Sequence, residues 1–433
     1  MKAAMALVQL AAVGAQNMFL NSNPELSFFK DQMRTHSHFA MESRSITFNR
    51  DDVNIFDMTR LTCNIQRYGD LISDMYFCFT LPSLYYDAVR NVRPKWIRHV
   101  GETIVNNATV MIGGSVIGTC YGEWLSIYNS LTMPLSKLHI YNKMSGNDVE
   151  CYDPDVLVNE VSATRPFVAG RRVVVPLNFW FTRNPGCALP LVSMQYEFVT
   201  VNIELRPVMD LFLVNVQGAG YVRPQSGNAA HQLANFNTTQ VIQTTLGIAP
   251  YIEVNYVTLD DPERLRFIKE SQDYLIEQTV RVEKDGVFGN TPLNISLQNP
   301  VKELVFVARD VRVRDTNEWT NFTNVDDGSD LIQSMTILFN GFERLANKPI
   351  EYFKYIQPFR YHSGSPLAGV CVYSFSLNPE DFQPSGECNM SKINQITLYV
   401  QIAPGVVCDV VVYAINYNFL RVTTGTAGIA FAL

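Results

Sequence analysis

The stretch Ile396-Thr-Leu-Tyr-Val-Gln-Ile402 puts aliphatic side chains at 396, 398, 400 and 402, with Thr, Tyr and Gln between them. Successive side chains of an extended chain point to opposite faces, so the four aliphatics share one face of a strand that packs against a core. The same reading extends to Val173 to Phe181, Val199 to Leu205, Val311 to Arg314 and Val370 to Leu377. Between these strands lie turn-forming clusters: Arg183-Asn-Pro-Gly186, Asp326-Asp-Gly328 and Gln383-Pro-Ser-Gly386. Helical patterns are few and short, at Glu123 to Leu131 and at Pro262 to Ile268, where Pro262 suits a first helical turn. Many strands without a βαβ rhythm predict an all-β chain of antiparallel sandwiches of the Greek-key or jelly-roll kind.

Short matches recur in the same order in both halves. Pro24-Glu-Leu-Ser-Phe-Phe-Lys30 leads to Phe39-Ala-Met-Glu42, as Pro262-Glu-Arg-Leu-Arg-Phe-Ile-Lys269 leads to Tyr274-Leu-Ile-Glu277. Thr109-Val-Met-Ile-Gly-Gly114 precedes Tyr121-Gly-Glu-Trp124, as Thr336-Ile-Leu-Phe-Asn-Gly341 precedes Pro349-Ile-Glu-Tyr352. Val199 to Leu205 closes the first half much as Ile396 to Ile402 closes the second. A shared order points to duplication. The expectation is two tandem eight-stranded antiparallel jelly rolls with short helices in their loops: an N-terminal arm at 1–22, a first jelly roll at 23–214, a linker at 215–245 and a second jelly roll at 246–433.

Composition narrows the function. Of 433 residues 47% are apolar, with 26 Phe and 20 Tyr, and only 17% are charged against a usual value of roughly 25%. The formal net charge of −7 disfavours direct, sequence-specific nucleic-acid binding, which needs a basic face. Apolar runs such as Val406 to Tyr413 stop well short of the ~20 residues that cross a bilayer. Eight cysteines (Cys63, Cys78, Cys120, Cys151, Cys187, Cys371, Cys388 and Cys408) are scattered with no CxxC, and read as buried thiols in a reducing compartment.

Several segments carry a more specific likeness. Ile112-Gly-Gly-Ser-Val-Ile117 followed by Tyr121-Gly-Glu-Trp-Leu-Ser-Ile-Tyr-Asn-Ser-Leu131 resembles the major capsid proteins of nucleocytoplasmic large DNA viruses. So do Asn23-Pro-Glu-Leu-Ser-Phe-Phe-Lys30, His38-Phe-Ala-Met-Glu-Ser43 and Asn184-Pro-Gly-Cys-Ala-Leu-Pro-Leu191. In the second half the similar pieces are Tyr274-Leu-Ile-Glu277, Tyr373-Ser-Phe-Ser-Leu-Asn-Pro379, Gln383-Pro-Ser-Gly386, Cys388-Asn-Met-Ser391 and Tyr413-Ala-Ile-Asn-Tyr-Asn-Phe-Leu-Arg421.

The resemblance implies a double jelly roll, a homotrimeric capsomer of pseudo-hexagonal outline and a place in the virion, with assembly in the host cytoplasm. The partners it implies are other copies of the chain, neighbouring capsomers, minor capsid and penton proteins, and an inner membrane. The opening MKAAMALVQLAAVGAQ has the look of a secretory signal, but Leu7 to Gln16 resembles the family's own N-terminal segment. It is therefore expected to stay as an arm at the inner base of the capsomer.

Other candidate chemistry has simpler accounts. His36 and His38 share a strand face as metal ligands would, yet no cysteine or carboxylate stands at a zinc spacing. Asp260-Asp-Pro-Glu263 and Asp326-Asp327 lack the alternation of a calcium loop and read as helix-start charge and a turn. A basic run, Arg90, Arg93, Lys95, Arg98 and His99 around Trp96, is expected to contact neighbouring subunits, with a membrane or minor protein next. Glycosylation sequons begin at Asn107, Asn237, Asn294, Asn321 and Asn389.

Gly113-Gly114 follows a strand without the GK[ST] of a phosphate loop, and no nucleophile elbow or catalytic carboxylate pair appears. No catalytic, cofactor or metal residue is assigned, and the chain reads as a structural shell protein. The alternative is a carbohydrate-binding or glycoside-hydrolysing jelly roll, which needs an aromatic-lined groove with two facing carboxylates.

Overall fold

The alternation at 396–402 is realised with Ile396, Leu398, Val400 and Ile402 buried and Tyr399 facing solvent. The fold is a computed structural model that describes residues 2–49, 57–156, 165–216, 220–236, 248–423 and 425–431. Residues 1–38 form one unit, in which α1 (Lys2–Ala11) is the longest helix among the described residues, and residues 39–433 form the other.

The first sandwich runs through β1 (Phe39–Thr47), β2 (Thr59–Asn64), β3 (Leu71–Leu81), β4 (Val105–Ile112), β5 (Ser115–Tyr121), β6 (Arg171–Pro176), β7 (Val199–Leu205) and β8 (Tyr251–Leu259). The second runs through β9 (Gln272–Val287), β10 (Asn290–Ile295), β11 (Pro300–Asp310), β12 (Ile332–Phe339), β13 (Phe342–Pro349), β14 (Cys371–Ser374), β15 (Ile396–Ile402) and β16 (Cys408–Thr423). In the first, one sheet joins β1-β8-β3-β6 and the facing sheet β2-β7-β4-β5; in the second the orders are β9-β16-β11-β14 and β10-β15-β12-β13. Adding eight to each label converts one sandwich into the other. All these pairs are antiparallel, as jelly-roll connections require. Further short strands extend the sheets, so that β3 also pairs Leu189–Pro190 and β16 also pairs Thr426–Ile429.

The duplication is visible in the turns. β4 and β5 meet through Gly113-Gly114 at φ 56° and 86°, and β12 and β13 through Asn340-Gly341 at φ 51° and 83°. Two positive φ values in succession make the type I′ turn that matches strand twist, and only Gly and Asn adopt it cheaply. The helix expected at 123–131 is α2 (Gly122–Thr132), followed by α3 (Leu135–Ser145); that expected at 262–268 is α4 (Asp261–Lys269), and α5 (Gln357–Tyr361) lies in the second sandwich.

Three apolar clusters fill the molecule. One fills the first sandwich and takes in Ile276, Leu420 and Val422 from the ends of β9 and β16, one fills the second, and the third lies between them, where Trp124, Ile127 and Leu131 of α2 pack on Val305, Val307, Val411, Tyr413 and Ile415. Strands β11 and β16 are therefore buried on both faces: Leu304, Phe306, Val410 and Val412 point into the second sandwich, while their sequence neighbours point at α2.

Four expectations change. The strand expected over 173–181 ends at Pro176, and Trp180–Arg183 forms a helical turn because the Thr182 hydroxyl donates to Leu177 O and Phe179 O. The strand expected at 311–314 is a turn beyond β11, bent where the Arg312 N–H and guanidinium fold back on Asp310. That expected at 370–377 shrinks to β14, since Ser376 N–H leaves the ladder to bond Ser374 Oγ. Finally, β8 lies between β1 and β3, so residues 251–259, beyond the stretch 215–245 expected as a linker, pair with strands of the first sandwich. Residues 217–219 and 237–245 of that stretch lie outside the described residues.

Candidate functional site

An internal seam holds the two sandwiches together. α2 begins at Gly122, where a Cβ would stand 1.9 Å from Val105 O and 2.3 Å from Glu102 O. No side chain fits, so only glycine lets the helix start against β4. The next two residues enter the seam. The Trp124 ring lies 4.9 Å from that of Tyr413, and the Glu123 carboxylate accepts from Arg309 at 3.1 Å and from the Tyr413 hydroxyl at 3.0 Å. Arg281 stands 3.9 Å from the same carboxylate and 2.9 Å from Glu283, which is 3.6 Å from Arg309. Glu123 and Arg309 are both nearly excluded from water, so each is the condition for burying the other.

A second ionic group lies nearby. Glu277 of β9 accepts from Arg183 at 2.6 Å and from Lys302 of β11, whose ammonium also bonds Pro379 O at 2.7 Å. Burial pulls the Lys302 pKa down, although the Glu277 carboxylate opposes that. A small seam cavity is lined by Tyr128, Trp180, Phe382, Glu277 and Glu380. It has the aromatic walls and paired carboxylates that the glycoside-hydrolysing alternative needs. Both carboxylates are engaged, however: Glu277 by the two cations, and Glu380 by His362 and the Ser363 N–H.

The outer surface carries the residues singled out from sequence. The basic run pairs inside the chain: Arg90 with Asp87 at 2.8 Å, Arg93 with Asp155 at 3.0 Å, Lys95 over the Tyr221 ring at 4.0 Å, Arg98 over Tyr152 at 4.8 Å, and His99 with Glu102 at 2.9 Å. Arg93 and Lys95 thereby tie the segment to the acidic 153–155 turn, with Lys95 4.0 Å from Asp153. His36 and His38 are exposed. Asp260 accepts from Glu263 N–H and caps α4, while Asp326 pairs with Arg312 and Asp327 accepts from Ser329 N–H within a turn.

Among the sequons, Asn107 donates to Glu204, Asn294 accepts from Thr397, Asn321 accepts from Thr323 N–H and Asn389 accepts from Ser391 N–H; Asn237 lies outside the described residues. The eight cysteines are unpaired, and burial pushes the thiols of Cys63, Cys151 and Cys187 up to about 11. Among the described residues no group of three or more His, Cys, Asp or Glu is placed to hold a metal, and no helix is long and apolar enough to cross a membrane.

Large apolar side chains are exposed at Phe19, Leu20, Phe28 and Phe29 in residues 1–38, and at Val89, Phe198, Phe342 and Phe359 on the body. The seam residues escaped the sequence reading. Their signal was there, in Val301-Lys302-Glu303-Leu304 and Ala308-Arg309-Asp310: charges embedded in an apolar strand of a charge-poor chain can be buried only if paired.

With this geometry in place, the likeness to known proteins is extensive. Residues 27–260 match the family described as the major capsid protein N-terminus, and residues 263–428 match that described as the large eukaryotic DNA virus major capsid protein. A major capsid protein of Pyramimonas orientalis virus is 33% identical, with 98% of this chain and 99% of that one covered. One from Phaeocystis pouchetii virus is 29% identical, with 98% and 99% covered. A chain in the quasi-atomic PBCV-1 virus capsid superposes with a TM-score of 0.72 at 26% identity, covering 94% of this chain and 100% of its own. The two family matches meet between residues 260 and 263, where β8 ends and α4 begins.

Proposed function

Since this chain belongs to the major capsid proteins of large eukaryotic DNA viruses, we propose that three copies close into a pseudo-hexagonal capsomer that tiles the virus shell. Its relatives are structural proteins, and it too is a capsid component and not an enzyme. The observation that carries the trimer is the repeated strand order: two like sandwiches, joined by a buried ionic and aromatic seam, give three copies six similar lobes. A rigid seam suits this role, because lobes that moved independently would not hold a lattice angle.

The exposed aromatic residues of the N-terminal segment support its role as an arm packed beneath the shell, against neighbouring capsomers, minor capsid and penton proteins or an inner membrane. Assembly in the host cytoplasm follows from the same reading. Solution mass tests the capsomer directly: the expected species is about 147 kDa, three times 49.0 kDa, with six lobes in electron micrographs. A stable monomer at assembly concentrations overturns it.

A further inference from the structure

His362 leaves α5 with an imidazole that is only 2% exposed. Its Nε2 lies 2.5 Å from Glu303 of β11, and its Nδ1 lies 3.2 Å from Glu380, which also accepts from Ser363 N–H at 2.8 Å. Both ring nitrogens face carboxylates, so both carry a proton and the ring is the imidazolium. Just beyond it the chain crosses to the first sandwich. Ser363 Oγ donates to Thr132 O at 3.0 Å, Gly364 N–H to Leu131 O at 2.7 Å, and Leu367 N–H to Ser130 Oγ at 3.3 Å. Leu131 and Thr132 end α2, where carbonyls have no partner within the helix and the dipole favours a nearby cation.

We propose that His362 is a protonation-controlled latch: its imidazolium pins the 362–367 loop of the second sandwich onto the C-terminal end of α2 in the first, and loss of the proton frees that part of the seam. The charged and titratable groups around it are Glu303 and Lys302 on β11, Glu380 in the loop after β14, Glu277 on β9, Tyr128 on α2 and Arg183. Lys302 and Arg183 bond Glu277, and although Lys302 also feels the Glu303 charge, His362 is the cation in hydrogen-bond contact with both Glu303 and Glu380. A neutral ring keeps one N–H for two carboxylates, and Glu303, itself buried, then loses its hydrogen-bonded counter-charge.

The direction of the switch follows. Burial opposes the imidazolium, but the two carboxylates outweigh burial and hold the pKa up at about 9, against an ordinary 6.5. A folded-state pKa above the unfolded one gives stabilisation that is complete below about 6.5 and lost as pH rises through about 9. The latch opens toward alkali.

Histidine-selective NMR of the full chain tests this. One of the six histidine rings should titrate near pH 9, and that resonance should vanish in His362→Gln. Between about pH 7 and about pH 10 the parent should lose more of its melting temperature than His362→Gln does, and chymotryptic cleavage after Tyr361 should rise in step. The proposal is overturned if all six rings titrate in the ordinary range, if both proteins lose melting temperature in parallel, or if cleavage stays flat. Should His362→Gln fail to fold, the parent's NMR titration and cleavage profile decide by themselves.

Discussion

Removing the Glu123 carboxylate leaves Arg309, 6% exposed, with only the more distant Glu283 at 3.6 Å, and takes the acceptor from the Tyr413 hydroxyl. Breaking one partner of a buried pair costs about 3–5 kcal/mol, so Glu123→Ala should lower stability by that order in chemical denaturation at neutral pH. Glu123→Gln keeps an acceptor oxygen and should cost less. Equal losses for the two would mean that packing, not the ionic contact, holds this point. The adjacent glycine makes a steric prediction. Gly122→Ala drives a methyl into the Val105 carbonyl and should cost about 1–3 kcal/mol through forced backbone movement. Gly428→Ala, where a Cβ meets open space, should stay within about 0.5 kcal/mol. A comparison of the two melting temperatures checks both.

Among the elements, burial decides how much each aromatic contributes. Phe179, just before the helical turn at Trp180–Arg183, is buried with its ring 5.7 Å from that of Phe181. Phe179→Ala should therefore cost about 3–5 kcal/mol. Phe375, beyond β14, is half-buried against Tyr373 at 5.0 Å, and Phe375→Ala should cost clearly less. Urea unfolding of the two variants gives the order, and a larger loss at Phe375 would contradict the packing described. The strand and helix signals behind these positions were legible wherever periodicity was uninterrupted, as at β7, β15 and α2. They failed at 177–181 and 311–314, where a Thr hydroxyl or an Arg–Asp contact competes with the ladder and turns a β-prone sequence aside.

For the whole molecule, the proposed arm predicts two separable levels of organisation. Each sandwich has its own core, formed by residues after 38. Deletion of residues 1–22 should therefore leave the melting temperature of the proposed capsomer nearly unchanged while weakening its association into larger arrays. Calorimetry follows the first quantity and light scattering or electron microscopy the second. Loss of the trimer on deletion would make the segment part of the capsomer instead.

Local physics made much of this chain readable from its sequence. Side-chain alternation, Gly-Gly and Asn-Gly turns, and the order of two weak repeats depend on neighbours a few residues apart, and they determined two tandem antiparallel sandwiches. The boundary between the sandwiches was not local: β8 belongs to the first because it completes hydrogen bonds to β1 and β3, roughly 170 to 220 residues earlier in the chain. Nor could the sequence pair Glu123 with Arg309 or His362 with Glu303 and Glu380. Glu123, Arg309, His362 and Glu303 tolerate burial only because tertiary docking brings their partners within about 3 Å and removes water from both together.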